Sequence, residues 1–313
     1  MPNKVVIPSA GLAGLGRFLS SGIEAVLPSA FPSLEAMSAQ HGDVTAAIVM
    51  GGEGIGEGML RALPKLSFIQ TFGAGYDGLD IASLRRRGIT VANCPNVNNE
   101  DVADFAVGLL VALVRDIPAA QSRLLNGEWT PTSRGGLRPS LRQLKAGIVG
   151  MGAIGKSIAA RLPGFGMKIA WWGPNAKPEI AYPRAESVLA LARDCDVLIM
   201  AGRADASSRK LISAEVIEAI GPKGFLVNIS RGFTVDEEAL IAALKDGRIG
   251  GAALDVFEEE PTPVARWRDV PNVVLTPHIG GAGMGAVQAQ TRLVLENLAL
   301  HFAGKPVKTP VDA

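Results

Sequence analysis

Short apolar runs alternate with segments of helical period along almost the whole chain, the pattern of parallel sheets with helices on both faces. Residues 4–8, 46–50, 67–72, 90–92, 146–149, 168–172, 197–201, 225–229, 251–254 and 273–275 are short, near-continuous apolar stretches and are predicted strands. Between them, 154–162, 215–220 and 237–245 read as helices, the last with Asp236 to cap its start and Gly247 after its end. The expected class is α/β, with doubly wound, Rossmann-like parallel sheets. At 313 residues the chain exceeds what one core usually organises, so two domains are expected.

One segment breaks the alternation. Residues 116–143 hold three prolines, several glycines and the lone Trp129, and read as a long irregular stretch: a linker, a lid or an arm. The tryptophan, an apolar residue suited to burial, favours an arm that packs.

Composition narrows the partners. Lys plus Arg (31) nearly cancel Asp plus Glu (30), which argues against nucleic acid or an anionic membrane held by bulk charge and leaves a small molecule as the better expectation. The apolar run 105–114 stops at Arg115, far short of a membrane span, and the apolar stretch near the N-terminus is too short for a signal peptide. Two cysteines, Cys94 and Cys195, offer neither a disulfide framework nor a metal-ligand cluster, so the chain is read as cytoplasmic, with no metal.

The most informative local motif is Gly150-Met151-Gly152-Ala153-Ile154-Gly155, which follows a predicted strand and opens a predicted helix. Gly150 permits a tight turn, Gly152 lets a pyrophosphate approach the backbone and Gly155 lets the helix pack close to the strand, while the N–H groups of Ala153 and Ile154 lie at the anion-binding helix start. The glycine clusters at 11–16, 51–58 and 280–285 lack this setting and read as turns. An NAD site usually places an acid at the end of the next strand for the ribose 2'-hydroxyl. Here that region reads Gly173-Pro174-Asn175-Ala176-Lys177, with no acid before Glu179. The reading therefore prefers NADP(H) over NAD(H), with Asn175, Lys177 and Arg203 as candidate donors to a 2'-phosphate.

A hydride needs an acceptor, and three stretches supply chemistry for a 2-oxo acid. Asn228-Ile229-Ser230-Arg231-Gly232 puts a guanidinium just past a strand, Asp255 to Pro261 puts Glu258, Glu259 and Glu260 past another, and Thr276-Pro277-His278-Ile279-Gly280 puts an imidazole past a third. Ligands of open parallel sheets bind beyond the carboxyl ends of the strands, and all three positions suit that crevice. A cation for the carboxylate and a proton donor for the carbonyl oxygen are what such a reduction requires. The residues alone do not choose among the three glutamates.

With these motifs, together with Phe72-Gly73-Ala74-Gly75-Tyr76-Asp77 and Asp101-Val102-Ala103-Asp104, the sequence resembles the D-isomer-specific 2-hydroxyacid dehydrogenase family, glyoxylate/hydroxypyruvate reductase branch, over nearly its whole length. The resemblance implies that Arg231 grips the substrate's carboxylate and carbonyl oxygen, that His278 protonates that oxygen, and that Glu260, directly before the proline, hydrogen-bonds the imidazole. An adjacent carboxylate favours the imidazolium and keeps a proton donor available near neutral pH. It further implies that the N–H groups of Ala74 and Gly75 hold the carboxylate, that Val102 packs near the nicotinamide, that Asp255 binds its carboxamide, and that Gly173, Pro174, Ile229 and Gly280 belong to the cofactor set.

Two departures from the family pattern, Ala201-Gly202-Arg203-Ala204-Asp205 and Gly173-Pro174-Asn175, both fall on the adenosine side. The implied architecture is a substrate domain of residues 1–97 plus 286–313 and an inserted dinucleotide domain of 98–285, with 116–143 as the arm of a homodimer. A phenylpyruvate-type or phosphite dehydrogenase on the same scaffold is the nearest rival, and a dinucleotide-sensing co-repressor is the rival of another class. His41 and His301 sit in ordinary helical contexts and are expected to be structural.

Overall fold

A computed structural model describes residues 2–19, 22–130 and 136–311. The chain forms two compact units, one of Met1–Asn98 with Ala282–Ala313 and one of Asn99–Gly281. The helix Met284–Phe302 belongs whole to the first unit, where Val294 and Leu298 join Val5, Ile48 and Phe68 in a core. The second boundary accordingly falls ahead of that helix rather than inside it, as the range 98–285 had it.

The first unit is built on a five-stranded parallel sheet of β1 (Asn3–Val6), β2 (Ile23–Val26), β3 (Ala46–Met50), β4 (Phe68–Phe72) and β5 (Thr90–Ala92), in the order β2-β1-β3-β4-β5. β2 was not among the predicted strands. It lies at the sheet edge, its residues are only partly buried up to Val26, and its Glu24 interrupts the apolar run by which the others are recognised.

The second unit holds a six-stranded parallel sheet of β6 (Lys145–Val149), β7 (Lys168–Trp172), β8 (Val197–Met200), β9 (Phe225–Asn228), β10 (Gly251–Leu254) and β11 (Val273–Leu275). Its order is β11-β10-β9-β8-β6-β7, so the strand sequence reverses between β6 and β8, the point at which such sheets bind ligands. The register levels the strand ends: Val149 pairs with Met200, Met200 with Asn228, Asn228 with Leu254, and Leu254 with Leu275. Whatever follows each strand therefore emerges along one edge. The central strands β8, β9 and β10 are almost wholly buried and the edge strand β11 only partly, because helices cover both faces; the helix Asn99–Val114 packs one face with Val102, Ala106, Leu110 and Leu113.

The segment 116–143 differs from its reading as irregular. Ile117–Leu125 is a helix, opened by Pro118 in its first turn, where a missing N–H costs nothing, and braced by an ion pair of Arg123 with Asp116 at 3.1 Å. Among the described residues Trp129 is 69% exposed, and Leu124, Leu125 and Leu137 are exposed with it. Residues 131–135 lie outside the described residues. No helix among the described residues is long and apolar enough to cross a membrane.

Leu110, 1% exposed at the centre of that helix face, tests the core directly. Leu110→Ala is expected to cost about 2–5 kcal/mol, read as a lower urea midpoint with an unchanged native far-ultraviolet spectrum.

Candidate active site

Arg231 is placed by the turn that ends β9. Asn228, 1% exposed, donates from Nδ2 to the Arg231 carbonyl (3.0 Å) and accepts the Ser230 N–H (3.1 Å), and the Thr234 hydroxyl donates to the same Arg231 carbonyl (2.6 Å). Ser230 in turn donates to the Gly202 carbonyl after β8 (2.6 Å). Gly232 must be glycine, since a Cβ there would lie 1.8 Å from the Phe257 carbonyl carbon. That contact seats the arginine turn against the acidic loop after β10.

The acidic loop is held from three sides. Asp255 N–H donates to the Asn228 carbonyl (3.0 Å), Phe257 N–H to Glu260 Oε1 (3.0 Å), and Glu258 N–H to Glu237 Oε2 (2.9 Å). Glu237 is 4% exposed and is neutralised by Arg266, whose Nε lies 2.6 Å from Oε1. Of the three adjacent glutamates, Glu260 reaches His278: its Oε2 is 2.6 Å from Nδ1. Glu258 instead lies 3.5 Å from Arg209. Burial by itself would raise the Glu260 carboxyl, but the hydrogen bonds from His278 and from the Phe257 N–H, with the charges of His278 and Arg231, outweigh it and hold the group below the usual carboxylate range.

His278 follows β11 with φ of 53°, a left-handed conformation uncommon for a residue with a side chain. Asp255, 2% exposed, enforces it. Its Oδ1 accepts the Thr276 hydroxyl (2.6 Å) and the Ile279 N–H (2.9 Å), and its Oδ2 accepts the Gly280 N–H (2.8 Å). This anchoring use of Asp255 was not foreseen. It leaves the carboxylate about one further lone-pair site for another donor.

The glycine-rich turn fits a dinucleotide. Gly150 has φ of 95° and lies so near Gly202 that a Cβ would come within 2.2 Å of its Cα, and a Cβ on Gly155 would meet the Gly150 carbonyl oxygen at 2.0 Å. Gly152, by contrast, faces open space and precedes the helix Ala153–Arg161, so Ala153 and Ile154 stand in its first turn with room for an anion. Ile229 is buried just past the end of β9, two strands from β6, and Val102 is buried in the core beneath the sheet.

In the first unit Ala74 and Gly75 follow β4 in a turn that Gly73 opens with φ of 115°. His41 meets Phe31 edge-on, and His301 stacks on Phe68 with centroids 4.9 Å apart.

Comparison with known proteins decides the family. Residues 107–280 match the D-isomer specific 2-hydroxyacid dehydrogenase, NAD binding domain. The chain belongs to this family. The dehydrogenase is 36% identical over 275 residues to glyoxylate/hydroxypyruvate reductase A of Arabidopsis thaliana (88% of each chain), and 40% identical over 261 residues to 2-ketogluconate reductase of Gluconobacter oxydans (83% of this chain, 84% of the relative). Among solved structures, the NADPH-dependent glyoxylate/hydroxypyruvate reductase of Sinorhizobium meliloti, in complex with NADP and malonate, is 35% identical with a TM-score of 0.90, covering 99% of this chain and 97% of that one.

The cations named as candidate 2'-phosphate donors have the following surroundings in the chain. Lys177 Nζ donates to the Met151 carbonyl inside the glycine-rich turn (2.8 Å), and the positive charge of Arg203 acts on Asp205. Arg184, which no sequence signal singled out, donates to the carbonyl of Gly173, 11 residues earlier in the chain (2.8 Å), and its guanidinium lies 5.8 Å from the centroid of the Trp171 ring.

Because the folded-state pKa of Glu260 lies below its ordinary 4.5, its contribution to stability is present above that value and is lost as the pH falls through the lowered one. Thermal melts of the wild type and Glu260→Gln are expected to differ at neutral pH and to converge below the ordinary carboxyl range; a gap that stays constant on acidification would contradict this.

Proposed function

We propose that this dehydrogenase reduces a small 2-oxo acid of the glyoxylate or hydroxypyruvate type to the 2-hydroxy acid with NADPH, NADH being the weaker donor. The observation that carries the reading is the 2.6 Å contact of Glu260 with His278 Nδ1, at the strand ends that also present Arg231. With Nδ1 engaged, Nε2 is the nitrogen left to serve a substrate. In this reading the Arg231 fork and the N–H groups of Ala74 and Gly75 hold the carboxylate, and Arg231 also polarises the carbonyl. His278 delivers its proton to the carbonyl oxygen and is left neutral, still hydrogen-bonded to Glu260. The reduced nicotinamide, when bound, supplies the hydride. Gly150, Gly152, Ala153, Ile154 and Gly155 would hold its pyrophosphate, and Asp255, Ile229, Val102 and Gly280 would surround the nicotinamide.

The preference for NADPH rests on a turn, Gly173-Pro174-Asn175, that carries no acid to repel a 2'-phosphate, and on the guanidinium of Arg184 beside it. Relatives point the same way, since the 35% identical Sinorhizobium meliloti protein is NADPH-dependent. A bulkier substrate is the second reading, favoured by 37% identity over 275 residues to a hydroxyphenylpyruvate reductase of Plectranthus scutellarioides.

We further propose a cytoplasmic homodimer joined through 116–143. Exposed Leu124, Leu125, Trp129 and Leu137 would find cover on a second copy, and a groove of about 510 Å³ lies among Pro118, Leu137, Pro139, Phe225, Val270 and Val273. Phe225 and Val273 begin their strands, so this groove is at the opposite end of the sheet from Arg231 and His278.

Loss of reduced-nicotinamide absorbance, followed with NADPH and NADH against glyoxylate, hydroxypyruvate and phenylpyruvate, tests the activity. Glyoxylate or hydroxypyruvate with NADPH should be the fastest pair. His278→Ala should lower kcat by about 10²–10⁴ while leaving NADPH affinity intact. Turnover of the variant at the wild-type rate, or tighter binding of NADH than of NADPH, would refute the corresponding part. Light scattering should give twice the chain mass, and replacing both Trp129 and Leu137 by serine should shift it toward the monomer.

A further inference from the structure

The first unit carries a device that aims the two N–H groups assigned above to the substrate carboxylate, and we infer that Asn93 is its positioning residue. The inference rests on that assignment of Ala74 and Gly75.

A trans peptide is planar, so fixing its C=O in one direction fixes the N–H of the next residue in the opposite one. The Gly73 carbonyl accepts the Cys94 N–H (2.9 Å) and the Thr71 hydroxyl (3.2 Å). The Ala74 carbonyl accepts Asn93 Nδ2 (2.8 Å). Both carbonyls thus turn toward the residues that follow β5, and the N–H groups of Ala74 and Gly75 turn away from them, side by side. Neither N–H has an acceptor among the described residues. Consecutive N–H groups aimed together form an anion-binding nest. The Gly75 carbonyl is confined as well, because Gly51 packs so closely that a Cβ on it would come within 1.9 Å of that oxygen.

Asn93 is itself held. Its N–H donates to the Thr309 carbonyl (3.2 Å), and its carbonyl accepts the Thr309 hydroxyl (2.6 Å). Thr309 also receives a hydrogen bond from Asn297 Nδ2 (3.0 Å), which is fully buried and donates to Gln70 of β4 (2.8 Å). The segment around Thr309 lies along the free edge of β5, with Pro310 bridged to Ala92 and the Val311 N–H on the Val91 carbonyl (2.8 Å). The C-terminal strap therefore reaches the substrate turn through one side chain. Asn suits the position because its amide donates where Asp would present a second acceptor to the Ala74 carbonyl.

The test compares glyoxylate with glyoxal, which replaces the carboxylate by an aldehyde, and uses malonate as a carboxylate inhibitor. In the wild type, glyoxylate should be strongly preferred and malonate should compete with it. Asn93→Ala and the isosteric Asn93→Asp should each raise KM for glyoxylate and Ki for malonate about tenfold, with kcat, KM for glyoxal and the Kd for NADPH nearly unchanged. Thr309→Val, which removes a hydroxyl without changing volume, should move the same two constants in the same direction by less. A glyoxylate KM unaltered in Asn93→Asp, or a rise shared equally by glyoxal, overturns the role of Asn93 while the carboxylate assignment stands. A wild type indifferent to the carboxylate refutes the assignment itself, and this inference with it.

Discussion

The buried carboxylate of Asp255 collects one hydroxyl and two N–H groups from the turn after β11, and His278 sits inside that turn. Hydrogen bonds to a charged acceptor contribute about 1.5–3 kcal/mol each, which is enough to hold the left-handed backbone of His278 that a free turn would rarely adopt. Without it the imidazole would lose its place beside Glu260. The same residue is tied by its own N–H to the end of β9, where Asn228 shapes the turn that presents Arg231. Three loops from three strands are thereby locked into one object, and level strand ends make that possible.

Much of this was legible in the sequence because the signals were local. Parallel strands buried on both faces read as continuous apolar runs, and the edges of β3, β5, β7, β10 and β11 coincide with those runs. The glycine-rich turn was legible because the chemistry there is carried by missing side chains: Gly150 and Gly155 are needed by contact and Gly152 by room. The edge strand β2 and the helix Ile117–Leu125 were missed for a common reason. A glutamate interrupts the apolar run in one and a proline stands in the other, whereas an edge strand tolerates a charge and a first helical turn tolerates proline.

Polar residues whose roles arise only from tertiary contact were not legible. Glu237 opens a helix and reads as an ordinary first-turn acid, yet it is buried against Arg266 and the Glu258 N–H. Arg184 gains its place from a loop that folds back over Trp171, and Asn93 from a strap more than two hundred residues away in the chain. Hydrophobic period carries no trace of such partners. Glu258, Glu259 and Glu260 illustrate the limit: they are identical in type and adjacent, and only the way the loop closes separates the one that meets His278 from its neighbours.

The charges divide by exposure in a way that chemistry explains. Asp255 and Glu237 are almost wholly buried, with their oxygens occupied by fixed donors, whereas His278 and Glu260 keep side-chain exposures of 44% and 36%. A carboxylate that holds a turn in place gains from fixed donors on both oxygens, because unsatisfied lone pairs in a dry environment cost free energy. A group that must hand over a proton cannot be saturated, since one of its positions has to remain for a partner that arrives and leaves. Nδ1 of His278 is fixed by Glu260 and Nε2 is not, so the pair combines both requirements within a single ring. The buried acids set where the imidazole stands, and the exposed one sets which of its nitrogens faces the chemistry.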